Sequence, residues 1–327
     1  MSSVLVVGVG SMGWNHARVC SELGILVGIC DADKEKLQTV SNHFGVPGFI
    51  DLDTALSELN PEGVIIATYT SSHYSLTKKV LEMGHHVLVE KPIVDKISHG
   101  EELVSIAETS GLVLAVGHIE RHNPVIKRAK FHLDEGDWGE LITLNARRVS
   151  PFTGRINDVG AILDTGIHDI DNLLYLVDSK PVSVYASGGS FNQIDLEDHA
   201  NIVINFENGK SGVIEVNWIT PMKVRTLSLT CETSFVELDY IKQQLFVSRS
   251  SLSKSDSPRL YPPPIEFKST IISLKNQEPL KLEIEDFINA FSNGTKPLVG
   301  GEDALLALRV GAAAVKSLNC GEVIKIE

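Results

Sequence analysis

The sequence predicts an α/β protein in two parts: an N-terminal doubly wound parallel sheet, then a half built on a mostly antiparallel sheet. Three observations carry this. The chain has 327 residues, more than the roughly 100–200 of one ordinary domain. Its first 120 residues alternate short apolar runs with helical patterns, and several runs are apolar throughout (VLVV, GVIIAT, HVLVE), as expected when both faces of a parallel sheet are covered. From Gly139 onward strand patterns dominate. The expected domains are 1–120 and 121–327.

In the first half the strands are Val4–Val7, Leu26–Cys30, Gly63–Thr68, His86–Val89 and Val113–Val116. Between them lie helical patterns at Trp14–Leu23, Lys34–Phe44, Leu52–Leu59, Tyr74–Met83 and Gly100–Thr109. Strand–helix alternation with short loops is the signature of βαβ units.

In the second half the strands are Glu140–Ser150, Val182–Gly188, Ala200–Phe206, Gly212–Trp218, Thr226–Cys231 and Ser234–Tyr240. Asn208-Gly209, between IVINF and SGVIEVNW, is a hairpin signal. One helix, Gly160–Val177, interrupts the series after its first strand. Its apolar face is Leu163, Ile167, Ile170, Leu174 and Val177, at steps of 4, 3, 4 and 3, the period of an amphipathic helix. One position along, Asp164, His168, Asp171 and Tyr175 keep the same steps, so titratable groups edge the buried stripe. Ser248–Pro264 reads as a Ser/Pro-rich loop, and a last helix spans Asp303–Asn319.

The composition is globular, 43% hydrophobic and 22% charged. The net charge of −13 argues against nucleic-acid and anionic-membrane partners. Cys20, Cys30, Cys231 and Cys320 form neither a zinc pattern nor a disulfide framework, which fits a reducing cytoplasm. The N-terminus lacks the basic region of a signal peptide, and no run of about 20 apolar residues spans a bilayer.

Val4–Val7 runs into GVGSMG, placing Gly8, Gly10 and Gly13 in a G-x-G-x-x-G that opens a helix. The glycines suit a tight turn, a close approach of pyrophosphate and close packing of helix on strand, and the helix N-terminus suits the phosphates. The second strand ends at Asp31, 18 residues beyond Gly13. A carboxylate there accepts ribose hydroxyls and repels the extra phosphate of NADP, so NAD is favoured over NADP. An S-adenosylmethionine site uses a similar loop and acid and stays an alternative at this point.

The fourth strand ends in Glu90-Lys91-Pro92, which puts Lys91 where ligands of doubly wound sheets bind, beyond the carboxyl ends of strands. Hydride transfer from an alcohol needs a base, a positive charge for the developing alkoxide and a group that orients the base. His168 suits the base, Lys91 the charge, and Asp164, one turn before His168, the orienting group. This chemistry requires no metal. It requires that Lys91 and His168 converge on the nicotinamide. A half-buried structural histidine is the plain alternative for His168, and Asp171 is expected to make a structural hydrogen bond.

GVGSMGWNHA, ATYTSSH, HVLVEKPI, GHIERHNP and the D-x-x-x-H of ILDTGIHDID occur in this order across the chain. In these segments the sequence resembles the glucose–fructose oxidoreductase / inositol dehydrogenase (Gfo/Idh/MocA) family. The resemblance implies an N-terminal Rossmann domain and a C-terminal α/β domain with a large, open, mostly antiparallel sheet. It implies that Lys91, Asp164 and His168 are catalytic. It also implies that Gly8, Gly10, Ser11, Met12, Gly13, Asp31, Thr68, His73, Glu90 and Lys91 line the cofactor, that Lys91–Pro92 is cis, and that the chain forms dimers or tetramers through the second sheet. Tyr69, where the family often has Pro, and His122, where Phe is usual, depart from the pattern.

Arg147, Arg148 and Arg155 in NARRVSPFTGRINDVG stand out in so acidic a chain. A guanidinium matches phosphate bidentately, although Arg147 and Arg148 point to opposite strand faces, so that one of them can equally be solvated or ion-paired. The segment is similar to the UDP-N-acetylglucosamine 3-dehydrogenase branch of the family. That implies a nucleotide-sugar substrate oxidised at its 3-hydroxyl, with Arg148, Arg155 and His118 as substrate contacts. A dehydrogenase of a free sugar or cyclitol, and an NAD-binding regulator without turnover, are the alternatives.

Overall fold

The computed structural model describes residues 2–152, 159–192, 196–252 and 265–326. The chain forms two compact units, Met1–His122 with Glu278–Arg309, and Asn123–Gln277 with Val310–Glu327.

In the first unit, β1 (Val4–Val7), β2 (Leu26–Cys30), β3 (Gly48–Phe49), β4 (Gly63–Ile66), β5 (His86–Glu90) and β6 (Leu114–Gly117) form one sheet in the order β3-β2-β1-β4-β5-β6. Its neighbours all pair parallel. The helices between them are α1 (Ser11–Glu22), α2 (Lys34–Phe44), α3 (Leu52–Leu59), α4 (Thr70–Glu82) and α5 (Ile97–Ser110). Strand order reverses between β1 and β4, the switch point where such sheets bind ligands. Every residue of β1 and β4 is buried, which is why these strands read as unbroken apolar runs. Helix starts differ from the sequence expectation by a few residues. Ser11 to Gly13 lie inside α1, although their composition carries no helical period.

A helix unforeseen from sequence, α8 (Pro279–Asn293), belongs to this unit rather than to the second. Its Leu280, Ile284 and Phe287 join Val4, Val6, Ile65 and Leu88 in one core. Each such side chain contributes roughly 1.5–3 kcal/mol on burial, enough to draw residues 278–309 away from the domain their chain position suggests. Phe287 packs where Gly63 has no Cβ: a Cβ there would come 2.9 Å from its ring.

The second unit holds α6 (Pro124–Asp134), α7 (Ile167–Val177) and a nine-stranded sheet ordered β14-β13-β12-β11-β7-β10-β9-β8-β15. The strands are β7 (Leu141–Pro151), β8 (Pro181–Gly189), β9 (His199–Phe206), β10 (Ser211–Asn217), β11 (Ile219–Cys231), β12 (Phe235–Asp239), β13 (Gln244–Leu252), β14 (Ile265–Ser273) and β15 (Ile324–Lys325). Among the described residues of this sheet, only β7 and β10 pair parallel. α9 (Gly301–Cys320) precedes β15. β13 corrects the reading of Ser248–Pro264 as a loop in its first residues: Ser248 to Leu252 continue a strand. Among the described residues no helix is long and apolar enough to cross a membrane.

Candidate functional site

In the first unit, the glycine loop shows why each glycine is there. Gly8 has φ +87°, and a Cβ on it would come 2.6 Å from the Ala67 carbonyl oxygen at the end of β4. A Cβ on Gly13 would come 1.7 Å from the Gly8 oxygen. Gly10 differs: a Cβ there would meet nothing within 4 Å. Its bareness serves nothing inside the protein and leaves room for an outside group to approach the backbone. Gly10 is also the N-cap of α1 and offers no side-chain acceptor, leaving the positive end of a 12-residue helix suited to an anion. Ser11 and Met12 form the first turn there.

Asp31 holds this loop. Its Oδ2 accepts from the Val9 N–H at 2.7 Å and its Oδ1 from the Asp33 N–H at 2.8 Å. Asp33 in turn caps α2 through the Glu35 and Lys36 N–H groups. Thr68, after β4, shares a 2.7 Å hydrogen bond with Ser72. His73 is buried on α4, with Nδ1 2.9 Å from the Pro92 oxygen and Nε2 3.1 Å from the Thr68 oxygen. Burial lowers its pKa against the opposing pull of these two carbonyls. The ring therefore lies between the β4 loop and the turn that carries Lys91, and in its neutral form it donates its one N–H to one of these two carbonyls. The Lys91–Pro92 bond is cis, as the resemblance implies. Glu90 is buried, and its carboxylate turns to His16 at 2.8 Å and to the Lys91 N–H at 3.2 Å. His118 is buried just after β6, at the same carboxyl edge of the sheet. Tyr69 is exposed and His122 buried.

In the second unit, the helix of Asp164 and His168 is not a single α-helix. Ile162–Gly166 is a π-helical turn that leads into α7. Asp164 sits in that turn and His168 in the first α turn; both are half-buried. Single π turns recur at functional sites. Glu197 starts the helix: its backbone oxygen accepts from Ala161 and its Oε1 from Ile162 at 3.1 Å. The carboxylate fits because Gly160 has no Cβ, which would lie 2.0 Å from it. Thr165 donates to Asp164 Oδ2 at 2.8 Å, and Trp218 Nε1 donates to Thr165 Oγ1 at 2.8 Å. Glu197, Thr165 and Trp218 carry no sequence pattern of their own. A hydroxyl beside the D-x-x-x-H aspartate is the one signal that could have drawn attention to Thr165.

Arg148 has a different place from the one expected of a substrate contact. It is 2% exposed, and its Nε and Nη2 reach Asp169 at 2.6 and 3.1 Å, with the guanidinium over the Tyr240 ring. Arg147 pairs with Glu215. Both arginines of the strand are thus ion-paired within the sheet and its helix. Arg155 lies outside the described residues. Asp171 is buried on α7.

Two family models match this chain. Residues 2–118 match the oxidoreductase family with an NAD-binding Rossmann fold, and residues 126–236 match the GFO/IDH/MocA C-terminal domain. The chain belongs to the GFO/IDH/MocA family. Among its relatives, it is 28% identical over 95% of its length and 94% of the relative's to UDP-N-acetylglucosamine 3-dehydrogenase of Acidithiobacillus ferrooxidans. It is 26% identical over 98% of its length and 95% of the relative's to scyllo-inositol 2-dehydrogenase (NAD(+)) of Bacillus subtilis. The solved structure of the Acidithiobacillus ferrooxidans enzyme superposes with a TM-score of 0.86, at 26% identity, over 97% of each chain. As a GFO/IDH/MocA member the chain is an NAD(P)-dependent dehydrogenase with an NAD-binding Rossmann fold. The open side of Gly10, the uncapped start of α1 and the Asp31 carboxylate fit a dinucleotide.

Proposed function

We propose that this protein is an NAD-dependent dehydrogenase of a secondary sugar hydroxyl, with a UDP-N-acetyl-hexosamine oxidised at its 3-hydroxyl as substrate. The observation that carries the reading is the similarity, along essentially the whole chain, to a UDP-N-acetylglucosamine 3-dehydrogenase, together with an intact Lys91, Asp164 and His168. NAD, when bound, supplies the hydride acceptor. Gly8 to Gly13 would hold its pyrophosphate, Asp31 its adenosine ribose, and Thr68, His73, Glu90 and Lys91 would shape the remaining edge.

In this reaction His168 takes the proton from the substrate hydroxyl. Lys91 contributes a fixed positive charge that favours the alkoxide as the proton leaves. Asp164, an acceptor held by Thr165, orients His168 or a neighbouring substrate hydroxyl. Preference for NAD over NADP is assigned to the Asp31 charge.

Purified protein is expected to form NADH with UDP-N-acetylglucosamine, and Lys91→Ala to abolish turnover while retaining NAD binding. The similarity to a scyllo-inositol dehydrogenase supports a second reading, a dehydrogenase of a free sugar or cyclitol. Turnover of a cyclitol with none of any UDP-sugar would select it. NAD binding without turnover across the panel would leave a non-catalytic regulator. We further propose a homodimer or homotetramer formed on the second sheet, whose exposed apolar residues include Ile142, Tyr185, Phe235, Phe267 and Ile271. A monomeric mass by light scattering would reject it.

A further inference from the structure

We propose that Thr165 and Trp218 are positioning residues that hold Asp164 through a hydrogen-bond chain of fixed direction. The inference rests on the reading of Asp164 as a site residue. The chain runs from Trp218 Nε1 to Thr165 Oγ1 at 2.8 Å and from Thr165 Oγ1 to Asp164 Oδ2 at 2.8 Å.

Its direction follows from the inventory of protons. An indole N–H can only donate, so Thr165 Oγ1 must accept from Trp218. A threonine hydroxyl carries one proton, and with the indole on one lone pair that proton goes to Asp164. Asp164 Oδ2 is therefore an acceptor. One carboxylate oxygen is committed, which fixes the plane of the carboxyl group and the direction of the other oxygen.

The supports of the chain are themselves rigid. Trp218 follows β10, and its backbone N–H donates to the Asp198 oxygen at 2.8 Å. Asp198 is fully buried and accepts from the Phe191 and Asn192 N–H groups and from His199. Burial pushes its pKa up, but the His199 and backbone bonds outweigh burial and leave it below the usual carboxylate range. Trp218 also packs on Phe152, ring centroids 5.7 Å apart. The π turn places Thr165 between indole and carboxylate.

The chain could instead only brace the helix against β10, and the two roles separate experimentally. Thr165→Val keeps the shape and removes the hydroxyl, Thr165→Ser restores it, and Trp218→Phe keeps the aromatic packing while removing the donor. Hydrogen bonds to charged groups are worth enough for a loss of roughly ten- to a hundredfold. Thr165→Val is expected to lose that much in kcat with UDP-N-acetylglucosamine, or with the sugar the wild type turns over. KM and NAD affinity are expected to stay close to wild type. Thr165→Ser is expected to recover most of kcat, and Trp218→Phe to fall between. A brace alone predicts a lower melting temperature with kcat unchanged, and that result, or a loss that serine does not rescue, overturns the proposal.

Asp164→Ala in the same panel keeps the two levels apart. If it turns over like wild type, the reading of Asp164 fails. If it is inactive while Thr165→Val is fully active, only the positioning chain fails. The indole N–H proton NMR signal of Trp218, assigned through Trp218→Phe, gives a readout without turnover. Asp164→Ala is expected to shift it through Thr165, and an unmoved signal overturns the chain.

Discussion

His16 Nε2 lies 2.8 Å from Glu90 Oε1 inside the first unit, and a second acid, Glu283 on α8, is buried in the same unit. Burial alone would raise the Glu90 pKa, but the His16 hydrogen bond and the Lys91 charge and N–H outweigh it and hold Glu90 below the usual carboxyl range. Glu283 is 2% exposed, and neither of its carboxyl oxygens has a hydrogen-bond partner among the described residues. Burial, and then the charges of Glu90 and Asp286, push it well above that range. The two shifts are opposite in sign: Glu283 holds its proton to higher pH than an ordinary carboxyl, and Glu90 gives its proton up at lower pH.

A pH dependence with a definite sign follows. In the unfolded chain Glu283 ionises near its ordinary value, about 4.5, whereas in the fold it stays protonated to higher pH. Above that value the folded state binds more protons than the unfolded one, so this group lowers stability as pH rises toward its folded pKa. Glu90 has the opposite sign: its contribution is present above the ordinary carboxyl range and lost as pH falls through its lowered folded value. Glu283→Gln, a neutral isostere, is expected to melt like wild type at about pH 4 and several degrees higher at about pH 8. Parallel melting curves across that range would mean that Glu283 is ionised in the fold.

The glycine loop separates folding from binding. Gly13→Ala forces a Cβ against the Gly8 oxygen and is expected to lower the melting temperature. Gly10→Ala enters open space at an ordinary φ of −67°. It is expected to melt like wild type while its NAD dissociation constant rises about tenfold, the cost of one hindered charge-assisted hydrogen bond. Calorimetry with NAD measures both.

Cofactor preference tests Asp31. Asp31→Asn keeps an acceptor for the Val9 N–H and removes the charge. The ratio of kcat/KM with NADP to that with NAD is expected to rise by roughly tenfold or more, since like charges brought together cost several kcal/mol. An unchanged ratio would assign the preference elsewhere.

Arg148 tests the internal ion pair. Arg148→Met removes the guanidinium from a buried Asp169, and breaking a buried pair costs about 3–5 kcal/mol. Adding Asp169→Leu is expected to recover much of that loss in denaturant titrations. A large rise in KM for the sugar with no loss of stability would instead return Arg148 to the substrate.

These residues show where sequence was sufficient. Gly8, Gly13 and Asp31 work over short spans of chain and a fixed βαβ geometry, so spacing alone announced them. Of the predicted apolar stripe, Ile167, Ile170, Leu174 and Val177 are buried and Leu163 is half-buried. The π turn at Ile162–Gly166 was hidden, because five residues per hydrogen-bonded step leave no mark in so short a run. Arg148 was ambiguous: its charge is conspicuous in the sequence, while Asp169, with which it is ion-paired, becomes visible only when helix and strand are packed together.

The sequence by itself determined the strand–helix alternation of the first half, the parallel and mostly antiparallel halves, the glycine loop with its strand-end acid, and the family. These depend on local period and on the stereochemistry of glycine and proline. Only the tertiary structure decided that α8 joins the first unit, that Arg148 pairs with Asp169, and that Trp218 reaches Asp164 through Thr165. Each of these is a contact between residues distant in the chain or an orientation of a single side chain, set by which apolar faces find one another on burial. No pattern along the chain records that.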